Sequence, residues 1–433
     1  MKVYIQHNNE IEFSYITVNP GDWVVVKPNL VKESKESDPN EWESVIVSPY
    51  VLWQLCEYVC KCLDGKGRLT ICDAPQSDSS IEKIKERLNV DENINRLKEK
   101  YNINIDFIDL RKYMFHNING VIKSRKELPG DPNKSIRFQL GKNSLFYGYR
   151  GEGKYYGADY DTEEVNKHHN GENQEYLVSA TPILADVFIS VAKMKTHKKT
   201  GVTLCLKNLV GINADKNWLP HHTCGDPSSG GDQFPNNTVD KKLEGKLSEM
   251  VRSAAFSLPF LSHIFALCRK LGAKIFGDGS NTIRSGNWWG NDTTWRMVLD
   301  LNKCLLYGDT SGTLNKNKRK RYYGIIDGLI GMEGIGPMQG DPVKSNVIIG
   351  GTDPAVIDAV GARFMGFDWR KIPVIREAFK NDDFPISSTD MNDVILVSED
   401  VKYDGKFTDL EKKDIFLNFK PHFGWQGKIE YES

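Results

Sequence analysis

Short apolar runs alternate along the chain with longer stretches in which apolar residues recur at helical spacing. The runs are Trp23-Val24-Val25-Val26, Leu69-Thr70-Ile71-Cys72, Ile105-Asp106-Phe107-Ile108, Val187-Phe188-Ile189-Ser190-Val191, Tyr323-Gly324-Ile325-Ile326, Val347-Ile348-Ile349 and Val394-Ile395-Leu396-Val397, and each ends in polar residues. Near-continuous apolar runs of this length suit strands buried on both faces. Tyr50 to Leu63 reads as a helix with Val51, Leu55, Tyr58, Val59 and Cys62 on one face and Asp64-Gly65 as its stop. Ser80 to Lys100 reads as a charged helix whose apolar positions are Ile81, Ile84, Leu88 and Leu97. Strand and helix in alternation predict an α/β fold built on a mostly parallel sheet with helices on both faces.

Two stretches break the alternation. The region from Gly120 to Glu175, rich in Gly and Tyr, reads as an antiparallel hairpin insertion, and Ala254 to Trp295 as a helical insertion. Between them Asn213 to Asp240 is rich in Pro, Gly, Asp and Asn, the composition of a long functional loop. The expected division is a first α/β part (1–119), the hairpin insertion (120–180), a core strand with an anion-site helix (181–212), a loop and helical insertion (213–310) and a second α/β part (311–433). The basic run Lys316, Lys318, Arg319, Lys320, Arg321 reads as a solvated connector.

Composition narrows the class. Hydrophobic residues make up 39% of the 433 and charged residues 27%, which is globular rather than disordered. With 57 Lys+Arg against 58 Asp+Glu, no global charge favours nucleic acid or an anionic membrane, so neither is an expected partner. The longest apolar stretch, Ala254 to Cys268, is interrupted by Ser257, Pro259, Ser262 and His263 and is too short to span a bilayer. It reads as a buried or partner-facing helix through which the chain could form an oligomer. The first residues lack a signal peptide's apolar core, so the expectation is a cytoplasmic protein. The eight cysteines sit mostly in apolar company, as in Val59-Cys60 and Leu204-Cys205, and read as core thiols.

In an open parallel sheet, ligands bind beyond the carboxyl ends of the strands. The residues directly following the apolar runs are Lys27-Pro28-Asn29, Asp73, Asp109, then Lys193, Lys195 and His197, then Asp327-Gly328, and finally Gly350-Gly351-Thr352-Asp353. The richest segment runs from Lys193 to Asn208. Between Asp186 and Asp215 it carries five lysines and a histidine without a carboxylate, and an anion is the simplest complement. Thr200-Gly201 reads as a helix start that puts Thr200, Thr203 and Lys207 on one face, with free N–H groups suited to a phosphate or carboxylate.

A second stretch, Asp327 to Gly340, holds five glycines including Gly334 and Gly336, and matches neither the dinucleotide fingerprint nor the P-loop. Such a backbone approaches something closely. Asp353-Pro354-Ala355 reads as an N-cap followed by a helix that carries Asp358 one turn in.

Taken together, Lys27-Pro28-Asn29, the Lys-Thr-His and Lys-Asn elements between Lys193 and Gly211, Asp327-Gly328 with Gly334-Ile335-Gly336-Pro337, and Asp353-Pro354-Ala355 with Asp358 resemble the signature blocks of the domain of unknown function 362 family (DUF362), from about residue 23 to 367. The family is described as related to iron–sulfur proteins because some members append a ferredoxin module. This chain has no Cys-x-x-Cys-x-x-Cys run, and Cys60-Lys61-Cys62 is too poor for a cluster, so none is expected. His197, Gly201 and Lys207 are also similar to the pattern of the nickel-pincer lactate racemase group, a pointer to chemistry around a carboxylate.

The expected function is an enzyme acting on a small anionic molecule, a carboxylate or a phosphorylated sugar-like compound, by proton or group transfer. Lys193, His197 and Asp327 are the candidate catalytic residues. Lys27, Asn29, Asp73, Lys195, Thr200, Thr203, Lys207, Asn208, Gly334 and Gly336 are the candidate substrate contacts. Asp73 and Asp327 leave room for a divalent cation. Two alternatives stand beside this: a metal or redox protein using His221-His222-Thr223-Cys224, and a non-catalytic ligand- or partner-binding protein.

Overall fold

The computed structural model describes residues 1–7, 11–118, 121–159, 162–236 and 282–432. The expected Ala254 to Cys268 helix lies outside them. One ten-stranded sheet organises the described chain. Its strands are β1 (Lys2–Gln6), β2 (Trp23–Pro28), β3 (Arg68–Asp73), β4 (Asn104–Asp109), β5 (Val187–His197), β6 (Gly201–Thr203), β7 (Arg321–Glu333), β8 (Asp341–Gly351), β9 (Ile395–Ser398) and β10 (Gly405–Lys406). They lie in the order β10-β9-β1-β8-β7-β5-β2-β3-β4, with β6 folded back on β5.

The block β7-β5-β2-β3-β4 is parallel throughout. The fold is therefore α/β as expected, on a mostly parallel sheet, with small antiparallel sheets beside it such as Tyr113–Ile118 against Val121–Glu127.

Helices cover both faces. On β2, Val24 and Val26 join a layer with α1 (Pro49–Leu63), α2 (Ile81–Arg87) and α3 (Val90–Tyr101). Val25 points the other way, into a layer with α4 (Cys205–Asn208), α5 (Thr294–Tyr307) and α6 (Pro354–Phe364). Helix α1 starts where Ser48 accepts a hydrogen bond from Tyr50 N, has Pro49 in its first turn, and stops at Asp64 in the left-handed conformation. The single charged helix expected over Ser80 to Lys100 is two, because Asn89 takes φ +49 and breaks the path. No helix among the described residues is long and apolar enough to cross a membrane.

One strand runs against expectation. β8 is antiparallel to both β7 and β1, so Gly350 to Asp353 lie at the opposite edge from Lys27 and Asp327. Asp353 there caps α6, accepting from Ala355 N at 3.0 Å and Val356 N at 3.2 Å, with Pro354 in the first turn. The basic run is not simply solvated either. Lys316 pairs with Asp383, Arg319 donates to Ile386 O, Lys320 to Ile183 O, and Arg321 pairs with Asp22. Of the cysteines, Cys56, Cys60, Cys72, Cys205 and Cys304 are buried.

Register partners Lys193 and Asp327 on β5 and β7 form a fully buried ion pair at 2.9 Å. Removing one member strands the other charge. Asp327→Ala is expected to cost about 3–5 kcal/mol in urea unfolding, while Lys193→Met combined with Asp327→Leu restores most of the loss. Equal stability of the single and double variants would contradict this.

Candidate functional site

Parallel strands bring their carboxyl ends to one edge, and there β2, β3, β5 and β7 place Lys27, Asp73, Lys193, Lys195 and Asp327 together. The Lys27 ammonium lies 2.7 Å from Asp73 Oδ1 and donates to Asn208 Oδ1 at 2.9 Å. Asn208 returns a hydrogen bond to Lys27 O at 3.1 Å and donates to Ser190 Oγ at 2.9 Å. Asn29 joins the same oxygen of Asn208 at 3.2 Å, and its own Oδ1 accepts from Lys195 at 2.8 Å. Lys195 spends a second donor on Val45 O at 2.8 Å. Asp73 Oδ2 accepts from Leu30 N, and Asp327 from Ser48 N and Leu329 N.

Gly211 is required where it is. A Cβ there would lie 2.0 Å from Asp73 Oδ1 and 2.7 Å from Lys27 Nζ.

Most strand-end groups thus answer one another. What remains open lies along the turn after β5. The expected helix start at Thr200-Gly201 is instead a hairpin: Gly201 at φ +79 turns the chain into β6, which pairs back on β5. Thr200, Thr203 and Lys207 therefore share no helix face. Thr200 Oγ1 donates to Val202 O, and Thr203 Oγ1 is buried with no hydrogen-bond partner among the described residues. Helix α4 begins only at Cys205, and the acceptor at its N-terminus belongs to the protein. Asp358 accepts from Cys205 N at 2.7 Å and Leu206 N at 2.9 Å. Burial pushes the Asp358 carboxyl up to about 8 even against these two donors.

His197 sits at the turn and is buried. Its Nδ1 accepts from Lys199 N at 3.0 Å and Thr200 N at 3.2 Å, which assigns the ring proton to Nε2. Burial, then the charges of Lys207 and Lys198, hold its pKa well below 6.5. The ring is therefore a neutral Nε2–H donor rather than an acid–base group at neutral pH. His221 has the complementary tautomer. Its Nδ1 donates to Leu219 O at 3.0 Å, leaving a lone pair on Nε2, and burial followed by Lys199 and Lys207 keeps it neutral.

Lys207 differs from its neighbours. It is half-buried and has no hydrogen bond or ion pair among the described residues. Burial and the ammonium groups of Lys216, Lys27 and Lys198 lower its pKa to about 7. Lys216 donates to Ala74 O and Pro75 O, and Lys199 to His221 O at 3.1 Å.

The glycine-rich hairpin loop between β7 and β8 packs on the end of β5. Thr196 Oγ1 donates to Gly334 O at 3.1 Å, and a Cβ on Gly336 would lie 2.0 Å from Thr196 O. The close approach made by Gly336 is to the chain's own backbone.

Sequence reasoning gave no role to Lys216, and weighed His221 only as a metal ligand. On the strand Pro220–Thr223, alternate side chains face opposite ways, so His221 and His222 diverge, and His222 stacks on Tyr156 at 4.5 Å. No group of three His, Cys, Asp or Glu among the described residues could hold a metal ion. The C-terminal segment went unnoticed too. Trp425 covers Gly201 and donates to Lys198 O at 2.9 Å, and burial and Lys198 lower His422 to about 4. A glycine at a tight turn was the available signal that something would lie against it.

A family model described as "Domain of unknown function (DUF362)" matches residues 141–363. Lys193 to Gly211, Asp327 to Pro337 and Asp353 to Asp358 fall within that span, while Lys27-Pro28-Asn29 precedes it. No curated protein matches the chain. Among solved structures, a crystal structure of a Thermotoga maritima protein aligns at 11% identity with a TM-score of 0.33, covering 75% of this chain and 49% of that one. The chain thus spans about half the length of that neighbour.

The tautomer of His197 is measurable. In nitrogen-15 spectra its ring is expected to stay neutral, protonated at Nε2, from pH 8 down past 6.5, where an ordinary histidine is half-charged. A titration centred near 6.5 would contradict the assignment.

Proposed function

The chain belongs to the DUF362 family, a domain of unknown function, and from the groups at its sheet edge we propose that it is an enzyme acting on a small anionic substrate, a carboxylate or a phosphorylated compound, by proton or group transfer. The observation that carries this reading is Lys207, a half-buried lysine without a partner among the described residues, close to Lys27 and Lys216, which have theirs, and to Lys198, which like Lys207 has none. An anion entering this field gains charge-assisted contacts without displacing a native carboxylate.

The roles divide by what each group still has to give. Lys207, about half neutral at pH 7, exchanges the proton. His197 donates from Nε2 to a substrate oxygen, as a neutral imidazole can when it polarises a carbonyl. His221 offers its Nε2 lone pair. Lys27, Asp73, Asn29, Asn208 and Lys195 act as a frame that holds β2, β3, β5 and α4 in place, and Lys193 with Asp327 fixes β5 to β7. Thr203 offers a hydroxyl with unused hydrogen-bonding capacity.

Titration calorimetry with inorganic phosphate and with pyruvate tests the reading. Lys207→Ala is expected to weaken binding roughly 10- to 150-fold, from about 1.5–3 kcal/mol for a contact to a charged group, with circular dichroism unchanged. Lys195→Ala is expected to lower the unfolding midpoint instead, since it leaves Asn29 Oδ1 and Val45 O without their donor. Absence of binding by the wild-type protein to either anion removes the proposal.

A further inference from the structure

An unpartnered lysine beside cations is suited to more than proton exchange. A neutral amine in such surroundings is a nucleophile toward carbonyl carbon, and neighbouring positive charge keeps it neutral. Three observations converge on Lys207. Its side chain has no hydrogen bond or ion pair among the described residues, a lack it shares with Lys198 in the turn after β5, whereas Lys27, Lys193, Lys195, Lys199 and Lys216 each have a partner. It is carried on α4, whose start is fixed by Asp358 and whose next residue, Asn208, is locked to Lys27 and Ser190, so the amine projects from a rigid support. And it shares its field with two imidazoles of opposite tautomer, one presenting Nε2–H and the other an Nε2 lone pair.

We propose that Lys207 forms an imine with the substrate, which is therefore an anionic carbonyl compound, such as a 2-oxo acid or a phosphorylated aldehyde or ketone. This rests on the reading that the edge binds an anion, and it narrows that reading to a class of substrate and a covalent step.

The step balances without any further reactant. The Lys207 nitrogen attacks the carbonyl carbon, forming the C–N bond as the C=O π pair moves onto oxygen, where the His197 Nε2–H hydrogen-bonds to it. A proton leaves the nitrogen through His221 Nε2 and is delivered to the oxygen, giving a carbinolamine. The nitrogen lone pair then expels that oxygen, which takes back from solvent the proton that the Lys207 ammonium gave up on becoming the attacking amine, and departs as water. Overall, an ammonium and a carbonyl become a protonated imine and one water.

Pyridoxal 5′-phosphate, an aldehyde that carries a phosphate, is the probe. The full-length protein is incubated with it at pH 7, reduced with borohydride and mapped by peptide mass spectrometry. A lysine at its ordinary pKa is only roughly one part in a few thousand neutral at this pH. Lys207 is therefore expected to be labelled at least about tenfold faster than exposed lysines such as Lys412, with Lys207→Arg losing that label. Labelling at other lysines with Lys207 untouched overturns the inference, and wild-type mapping decides this even if the variant folds poorly. The two readings fail separately. Phosphate binding in calorimetry with no adduct at Lys207 removes the imine and leaves the anion site, whereas an adduct at Lys207 without phosphate binding keeps the nucleophile and removes the anion site.

Discussion

A buried ammonium is tolerated only where something nearby neutralises it or takes its hydrogen bonds, and the carboxyl edge of this sheet is organised around that requirement. Lys27 is met by Asp73, which ties β2 to β3. Lys193 is met by Asp327, which ties β5 to β7. Lys195 is met by Asn29 and Val45 O, which ties β5 to the loops after β2. Each partner comes from a different strand or loop, so the charges act as clamps across the sheet. The same arithmetic leaves Lys207 without a partner among the described residues, and burial first, then the charges of Lys216, Lys27 and Lys198, lowers its pKa.

The strands were readable because apolar runs report burial on both faces. Their direction was not, and β8 shows why. The runs at Tyr323 and Val347 are separated by enough chain for a crossover helix, but the strands extend beyond them, to Glu333 and back to Asp341. The residues left between them, 334–340, suffice for a hairpin and not for a crossover to a parallel strand. Polar residues in the extended halves, such as Lys344 and Ser345, hid the true length. The segment after β5 failed differently. Thr-Gly satisfies both a helix start and a hairpin turn, and Gly201, at φ +79, takes the hairpin, with Trp425 from much later in the sequence lying against it.

At the site, residue types were legible and partnerships were not. Listing the groups at strand ends found Lys27, Asn29, Asp73, Lys193, Lys195, His197 and Asp327, because sheet topology delivers those positions to one edge. Nothing in the local sequence says that Lys193 and Asp327 use each other up, or that the N–H groups at the start of α4 are taken by the chain's own Asp358. Those are long-range pairings, visible only once the strand order is known. His221 was visible beside His222, but strand alternation separates what the sequence places side by side.

The position of β1 bears on how such a protein is made. This strand lies between β8 and β9, and its register partners, Gly350 and Leu396 among them, are synthesised hundreds of residues later. A nascent chain leaving the ribosome can assemble β2, β3 and β4 early, yet β1 must wait without its partners until β8 and β9 have emerged. Contacts of such sequence separation are entropically costly to close and slow to form. During that wait an apolar strand edge is exposed, which makes the vectorial order of synthesis, and the chaperones that shield unpaired edges, part of what this topology demands of its host.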